Sequence, residues 1–595
     1  MANEALKIEN IEFAVTSQIG RAPHWTMIRE LTMNAIEAAS RATGDKNVLW
    51  TTGKYQSHRK AVIWNTGPGM DAGELKKATD LACEIGKKLG LDDNFGVGAK
   101  VSSLPNNKLG MRMRSCKNGR VSEVIIGQDP DTGTYVRFER DLPGGGTDTV
   151  IDVTAIAKTE GRDNSADWTE VMLLGNSLEQ DTAAKPLASV PTTEKSFIAN
   201  TLYRRFYRLP EGVKLRLDSV YHRFDNTRTF TALGDRYDKF ARYESVRVED
   251  WNATIHFLHD PNIGDKSGLR KSSSNALSST TTTVCLVHKN EMYSVLTGQE
   301  WSAAAPRFGI PFGSKELCVH IELDAAEARP SQYRERLISK ETGADLVPDD
   351  YALFVVEAMP EWVKEVVKNA YPRRTEDFSD LQRQLQDLLN KYKVKIQGRR
   401  VEVEGQPSND DAGQHAAGGR GEGAGGGGAS DRPRPHTPRR RLHETPEGAT
   451  PTVLYEMYEK APEILMLTTP EDVEDKKLKG KAASFIVETG VLFVNGLYEA
   501  VDRTVADVEP EYVGQADPEH LRELMITAAR NLMAFRVGKA TVFALAKRAN
   551  QDWSESDMMA ALTKESLSIA ADNYEESINQ VRRAIRDGVK MAKAA

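Results

Sequence analysis

Three polar residues in the segment ELTMNAIEA are of types that could act on a phosphate ester. Glu30, Asn34 and Glu37 are separated by four and three residues, which places them on one face of a helix. A carboxylate near a metal-bound phosphate can orient and deprotonate a water molecule, so this face could serve hydrolysis. Taken alone, the segment fits a solvated helical face better than an active site.

Two glycine-containing loops follow along the chain. In NTGPGM, Gly67 and Gly69 allow the backbone to turn sharply and to approach a ligand with no Cβ in the way. In DNFGVGAKVSSL, Gly96 and Gly98 precede a helix start, where backbone N–H groups and the helix dipole favour an anion. Lys100 adds a cation suited to phosphate. Each loop taken alone fits an ordinary tight turn, so the evidence is the combination of the three segments.

In this order the three segments resemble the N box and the two glycine boxes of the GHKL ATPases. That family includes the ATP-hydrolysing component of DNA gyrase, the ninety-kilodalton heat-shock chaperone, MutL and the MORC proteins. The separations do not match a Walker A loop or a dinucleotide-binding glycine fingerprint. The resemblance implies a Bergerat fold that binds ATP and Mg²⁺, and therefore a Mg²⁺-dependent ATPase.

The resemblance also implies a role for each matching residue. Glu30 would be the catalytic base that activates water, and Asn34 would be the Mg²⁺ ligand. Thr169, in DWTEVMLL, resembles the threonine that contacts the base at the end of the nucleotide domain. The nucleotide-binding residues implied by the resemblance are Asn34, Glu37, Asn65, Gly67, Gly69, Met70, Asn94, Gly96, Val97, Gly98, Lys100 and Thr169.

One residue departs from the family pattern. Family members usually have an aspartate at the start of the first glycine box, where this chain has Asn65. An amide oxygen can accept a hydrogen bond from the adenine amino group, whereas the amide NH₂ could donate to a carbonyl such as O6 of guanine. The sequence therefore leaves open the choice between ATP and GTP, and also whether hydrolysis is retained.

A helix and a sheet must position these residues. Apolar residues at spacings of three and four predict a helix with one buried face over Trp25–Ala42. Helices packed on one face of a mixed sheet, an α+β fold class, follow from this pattern. Short β-branched or aromatic runs between turn residues predict strands at Val48–Trp50, Ala61–Trp64, Val121–Ile126, Thr134–Phe138 and Thr149–Val153.

The chain is long enough for several domains, since 595 residues exceed the usual domain size of about 100–200 residues. A stretch rich in Gly, Pro and charged residues has little to bury and predicts a flexible linker. We expect a GHKL ATP-binding domain over 1–180, an S5-like transducer domain over 185–350, a helical extension over 351–402, a disordered Gly/Pro/Arg linker over 403–449 and a mainly helical C-terminal domain over 450–595.

The segment TLYRRFYRLPEGVKL resembles the start of the GHKL transducer domain, an S5-like α/β unit that usually projects a basic residue towards the γ-phosphate. Lys271, Arg334 and Arg336 are the candidates for that residue, and we select Arg334 as the second catalytic residue. A cation there would respond to the terminal phosphate and couple hydrolysis to domain movement. An ordinary surface charge is the alternative for each of the three.

Composition limits the classes of function. A net charge of −7 with 28% charged residues gives no general attraction to nucleic acid or to an anionic membrane. No apolar stretch approaches the about 18–20 residues of a membrane-spanning helix, and no secretory signal is readable. We therefore expect a cytoplasmic protein of a bacterial or phage-infected cell. The 4 scattered cysteines predict buried thiols rather than a disulfide framework or a zinc site.

Two hypotheses for the whole chain follow. The architecture, with the segments FGVGAKVSSLPN and RRFYRLPEGV, resembles MORC-like and phage rapid-lysis rIIA-like proteins. It favours a clamp in which nucleotide orders a lid over Lys76–Asn94 and two ATPase heads form a homodimer around a DNA or protein client. The alternative is a non-catalytic, nucleotide-sensing scaffold or interaction protein whose helical tail binds the partner.

Overall fold

The computed structural model describes residues 11–21, 23, 26–80, 98–142, 145–187, 197–222, 225–261, 282–371, 378–392, 461–512, 517–550, 552–572, 578–579 and 581–586. The expected linker over 403–449 lies outside these residues, as does most of the expected lid. Individual predicted residues that also lie outside them are Cys83, Asn94, Gly96, Val97 and Lys271.

The chain forms two compact units. Residues 1–301 and 313–366 form the first unit, and residues 302–312 and 367–595 form the second. Each unit contains both helices and β-sheet, with parallel and antiparallel strand pairs in each. The α+β class predicted from the sequence is therefore confirmed.

A nine-stranded mixed sheet is the largest sheet among the described residues of the first unit. Its strand order is β11-β10-β1-β2-β9-β3-β4-β5, with β8 also paired to β4. Strands β1 and β10 pair in parallel, whereas the β1–β2, β10–β11 and β2–β9 pairs are antiparallel. The strands, with a separate β6–β7 hairpin, are β1 Asn47–Tyr55, β2 His58–Thr66, β3 Gly110–Lys117, β4 Arg120–Gln128, β5 Tyr135–Arg137, β6 Arg140–Asp141, β7 Thr147–Asp148, β8 Val150–Asp152, β9 Trp168–Gly175, β10 Lys214–Leu217 and β11 Arg228–Thr229.

Helices cover one face of this sheet. The helices of this part of the chain are α1 Ile11–Arg21, α2 Met27–Ser40, α3 Ala72–Ala78, α4 Gly98–Ser103, α5 Thr154–Thr159 and α6 Phe197–Tyr203, and all of these but α5 lie on that face. In α2 the apolar residues at spacings of three and four are buried, and they pack with α1, α4 and α6 on alternate residues of the strands. Helix α5 packs on the opposite face, where Ala157 joins Cys116 and Trp168. The predicted helix over Trp25–Ala42 is confirmed as α2.

A second sheet in the first unit has the order β12-β13-β16-β14-β15, in which the β14–β16 pair is parallel. Its β14–β15 turn contains Lys289 and Asn290, both with left-handed φ angles, as in a two-residue hairpin. The Asn290 carbonyl accepts from the backbone N–H groups of Tyr207 and Arg208, so the hairpin tip is fixed to the chain that follows α6. These strands are β12 Arg242–Val248, β13 Ala253–His259, β14 Thr283–His288, β15 Glu291–Thr297 and β16 Leu317–Leu323.

A small antiparallel sheet and short helices complete this part of the chain. The loop between β17 and β18 carries Arg334. The elements are helix α7 Gln299–Ala304, strands β17 Ala328–Pro330, β18 Leu337–Ser339 and β19 Asp345–Leu346, and helices α8 Ala352–Glu357 and α9 Glu361–Asn369.

The second unit has a three-stranded sheet and a mainly helical remainder. The VLFVN segment forms the central strand, parallel to one neighbour and antiparallel to the other. In the described part of the chain, no helix combines the length and apolarity that crossing a membrane requires. Its elements are α10 Ser379–Lys391, β20 Glu463–Leu467, α11 Pro470–Asp475, β21 Ala483–Ile486, β22 Val491–Asn495, α12 Glu499–Val508, α13 Pro518–Ala549, α14 Glu555–Ala561 and α15 Lys564–Asp572.

Candidate functional site

Three polar residues lie side by side on strands β2, β9 and β3. Asn65 is paired with Thr169 in the strand register, and Thr169 is paired with Ser115. Because side chains alternate along a strand, all three project to the face that α2 covers, as Ile63 and Val171 do. The sequence-predicted Asn65 and Thr169 are therefore neighbours in one polar row beneath α2.

Ser115 connects this row to the first glycine loop. Its hydroxyl donates to the Trp168 carbonyl at 3.0 Å, and its oxygen lies 2.9 Å from the Thr169 hydroxyl. The backbone N–H of Met70 donates to the same Ser115 oxygen at 2.8 Å. Since a hydroxyl donates once and accepts twice, the Thr169 hydroxyl is the donor to Ser115. The loop residue Met70 is thus fixed over the polar row.

The orientation of the Asn65 amide is set by its neighbour. The side chain is buried, with 5% exposure, and its nitrogen donates to the Thr66 carbonyl at 2.9 Å. A carbonyl oxygen can only accept, so the amide NH₂ must be the group that faces it. The Asn65 oxygen is therefore the atom that can accept a hydrogen bond from a ligand.

Glycine is required at two positions of the first loop. A Cβ at Gly67 would lie 2.9 Å from the Ala38 carbonyl oxygen of α2, which is closer than van der Waals contact allows. Gly69 has a left-handed φ of 59°, and a Cβ there would overlap the Cys116 carbonyl oxygen of β3. The absence of side chains lets this loop pass between α2 and β3.

The second glycine segment meets α2 at Glu30. Gly98 is the first residue of α4, and a Cβ at this position would overlap the Oε2 atom of Glu30. The Glu30 side chain is 12% exposed, and Asn34 is exposed one turn further along α2. Gly98 and Gly67 thus contact α2 at Glu30 and Ala38, about 12 Å apart along the helix axis. Helix α2 therefore contacts one glycine from each predicted glycine box, Gly67 and Gly98.

A buried ion pair lies directly beside Glu30. The Nη1 atom of Arg29 is 2.5 Å from Glu30 Oε1, while Nε, at 3.2 Å, and Nη2 donate to the carboxylate of Glu291 on β15. Burial alone would raise the pKa of Glu291, but the positive charges of Arg205 and Arg29 outweigh it and lower this pKa to about 2. Glu291 is therefore a buried carboxylate held in the charged form.

Arg334 lies at the other end of this ion-pair network. Its carbonyl accepts from Arg205 Nη2 at 2.7 Å, and Arg205 Nε donates to Glu291 at 2.8 Å. Arg334 has a left-handed φ of 55°, an uncommon conformation for a side chain of this size. The neighbouring Tyr333 packs on the apolar core of the large sheet. By contrast, Arg336 pairs with Asp345 at the surface. Of these two candidates, Arg334 is the one that the ion-pair network connects to Glu30.

Lys100 is bound to backbone oxygens in this structure. Its ammonium donates to the carbonyls of Ala78, at 3.0 Å, and Asp80, at 2.6 Å, at the end of α3. These bonds tie the start of α4 to the chain that leads into residues 81–97. Contact between Lys100 and a phosphate, as the sequence predicts, requires the ammonium to exchange these partners.

The donor atoms suit a magnesium ion that arrives with a phosphate ligand. Among the described residues, no group of three or more His, Cys, Asp or Glu side chains is arranged to hold a metal ion. Mg²⁺ usually keeps several waters and binds one or two protein oxygens together with substrate phosphates. The exposed amide of Asn34, one helical turn from Glu30, fits that requirement. The described cysteines are buried free thiols, as predicted: Cys116, Cys285 and Cys318.

No protein-family model matches the sequence, and a comparison with curated proteins finds no relative. The residues and contacts described above are therefore the basis for proposing a function.

Sequence reasoning missed three residues of this site. Arg29 immediately precedes Glu30, but an arginine in a helix ordinarily indicates a solvated position. Ser115 lies in a strand with alternating Met and Arg residues, which hides its place beside Thr169. Glu291 is 262 residues from Arg29 along the chain, and no local pattern indicates that it is a partner.

Proposed function

We propose that this chain is a Mg²⁺-dependent ATPase of the GHKL type, with a Bergerat-fold nucleotide domain and an S5-like transducer. One observation carries the proposal. The polar row of Asn65, Thr169 and Ser115 and the contact of Glu30 with Gly98 lie on the same face of one sheet and along one helix. In the proposal, α2 joins a base-recognition end at the polar row to a hydrolytic end at Glu30.

The adenine base would bind at the polar row. The Asn65 oxygen would accept a hydrogen bond from the adenine amino group, because the contact with the Thr66 carbonyl fixes which end of the amide is the NH₂ and which is the oxygen. Guanine has a carbonyl at the corresponding position, and two acceptors facing each other repel. ATP is therefore the proposed substrate, in preference to GTP.

Hydrolysis would take place at the Glu30 end. Glu30 would accept a proton on Oε2, the oxygen beside Gly98, from the water that attacks the γ-phosphorus. The bond from the γ-phosphorus to the β–γ bridging oxygen breaks, and ADP leaves with that electron pair. Glu30 then passes the proton to solvent or phosphate. When bound, Mg²⁺ would neutralise phosphate charge, with Asn34 as its protein ligand.

The cycle would drive a dimeric clamp. In this proposal, nucleotide binding brings two copies of the first unit together through their ATPase heads. Arg334 would report the γ-phosphate, so that its loss after hydrolysis reopens the clamp around a DNA or protein client.

Phosphate release tests the hydrolytic step. With Mg²⁺ and ATP, Glu30→Ala should lower kcat about 10²- to 10⁴-fold, since a positioned base contributes that much. Calorimetry should find Mg²⁺-nucleotide affinity largely unchanged for Glu30→Ala and weakened for Asn34→Ala. Glu12→Ala, at an exposed acidic residue of α1, serves as a control and should behave as the parent. Background-level release from both parent and Glu30→Ala would contradict hydrolysis and favour the nucleotide-sensing scaffold.

A further inference from the structure

We infer that Arg29 and Glu291 are positioning residues for Glu30, and that they connect this base to the loop that carries Arg334. The inference rests on the proposed function, because it assigns to these residues an effect on the hydrolytic step. The connection runs from strand β15 to the Glu30 carboxylate. Its side chains make no contact with the nucleotide in the proposal.

The planarity of the guanidinium group is the first step. Arg29 uses Nε and Nη2 on the two oxygens of Glu291, which is a fork of fixed geometry. When two nitrogens of a rigid plane are anchored, the position of the third is set as well. Glu291 therefore determines where Nη1 of Arg29 meets Glu30.

The second step is the division of labour between the two oxygens of Glu30. Oε1 is held by Arg29, and Oε2 lies against Gly98 at the start of α4. A carboxylate held by one oxygen presents the other in a constant direction. Arg29 thus orients the oxygen that the proposed reaction uses as base, since small misplacements of a reacting group have large effects on rate.

The third step is the connection to the Arg334 loop. Glu291 receives Arg205 as well as Arg29, and the guanidinium of Arg205 lies 4.0 Å above the ring of Tyr293. The same guanidinium donates to the Arg334 carbonyl, so a shift of this loop moves Arg205. Arg205 and Arg29 share one buried carboxylate, and a change at one alters the charge available to the other. The loop thereby acts on Glu30 through two ion pairs.

Steady-state kinetics at several pH values test this inference. Arg29→Met removes a positive charge beside the base, so kcat should fall about 10- to 100-fold while KM for ATP stays within about twofold. The acid limb of the kcat profile should move to higher pH. Glu291→Gln leaves Arg29 without its countercharge and more available to Glu30, so its acid limb should move to lower pH. A purely structural ion pair predicts no such opposite shifts.

Matched variants separate positioning from folding. Arg29→Lys keeps the positive charge but loses the two-pronged contact with Glu291. Its acid limb should therefore lie at the parental pH, whereas its kcat should stay as low as that of Arg29→Met. Glu123→Gln disrupts a buried Arg–Glu pair elsewhere in the first unit and should leave kcat and the acid limb as in the parent. If Arg29→Met and Glu291→Gln do not fold, Arg205→Lys gives the test. A lowered kcat at constant KM supports the inference, and a parental kcat overturns it.

The outcomes distinguish this inference from the proposed function. A parent without ATPase activity overturns both. A parent that hydrolyses ATP, with Glu30→Ala inactive, supports the proposed function. If Arg29→Met and Glu291→Gln then keep parental kcat, or shift the acid limb in the same direction, the positioning inference alone is overturned.

Discussion

Two buried networks of arginine and glutamate in the first unit use the same chemistry differently. The base network consists of Glu30, Arg29, Glu291 and Arg205. The sheet network consists of Arg112, Arg114, Glu123, Arg140, Arg162 and Glu170. In the sheet network the buried Glu123 and Glu170 receive arginines on both oxygens, and Arg114 also pairs with one oxygen of the exposed Glu160. In the base network Glu291 also receives arginines on both oxygens, whereas among the described residues Glu30 receives arginine on Oε1 alone.

The sheet network and the polar row of the candidate site meet on a single strand. On β3, Ser115 projects to the face covered by α2, where it joins the polar row, and Arg114 projects to the opposite face. There Arg114 bonds Glu123 of the neighbouring strand. Adjacent residues thus serve different purposes: Arg114 belongs to the ion-pair network that holds the sheet together, and Ser115 belongs to the polar row of the candidate site.

The largest expected effect tests the sheet network. Glu123→Gln removes the carboxylate that Arg114 and Arg140 share and leaves the buried Arg114 paired with the exposed Glu160. The free energy of unfolding should fall by about 3–5 kcal/mol, as for other broken buried pairs. Urea denaturation measures it, with Glu30→Ala for comparison. Equal stability of Glu123→Gln and the parent would contradict a structural role for the sheet network.

The stability of the fold in acid should depend on Glu291. The pKa of Glu291 falls from 4.5 to about 2 in the folded chain, so its ion pairs add stability above the unfolded value, and this is lost as pH falls through about 2. The difference corresponds to about 3 kcal/mol. Between about pH 5 and 2, Glu291→Gln should lose that much less unfolding free energy than the parent.

Urea unfolding at a series of acidic pH values measures this loss. Glu12→Gln, at an exposed position of α1, is the control and should retain the parental slope. A parental slope for Glu291→Gln would show that the Glu291 carboxylate does not stabilise the fold through its charge.

The smallest expected effect concerns the contact between Glu30 and Gly98. In Gly98→Ala the new methyl group would displace the Glu30 carboxylate, so kcat should fall about tenfold with a stability change below about 1 kcal/mol. Gly20→Ala is a matched helical control, since a Cβ there meets no atom within 4 Å. Comparable kcat for both variants would mean that the Glu30–Gly98 contact does not orient the base.

Local sequence patterns predicted the elements whose burial follows from apolar residues. The spacing in α2 and the runs at β1, β2, β4, β5 and β8 all correspond to observed elements. Strand β3 was not predicted, because Arg112 and Arg114 interrupt its apolar residues. Both are buried, since glutamates on β4 and β9 neutralise them. A one-dimensional pattern does not contain that pairing.

The candidate site shows the same limit. Glu30, Gly67, Gly69 and Gly98 were predicted from short motifs. The structure places Gly67 and Gly98 against α2, which carries Glu30, and Gly69 against β3. The partners of these residues depend on long-range pairing. Ser115 joins the site through strand register, and Glu291 joins through the docking of a hairpin on the chain after α6. Such contacts are properties of the folded chain.

The central claim is that the α2 site binds ATP with Mg²⁺, and thermal unfolding with ATP or GTP tests it most directly. A ligand that binds the native state stabilises it, by about 2.7 kcal/mol at a concentration of 100 times Kd. We predict that ATP with Mg²⁺ raises Tm, that EDTA reduces the shift, and that GTP has a smaller effect. An unchanged Tm with both nucleotides would contradict the nucleotide site, and a larger shift with GTP would contradict the role of Asn65.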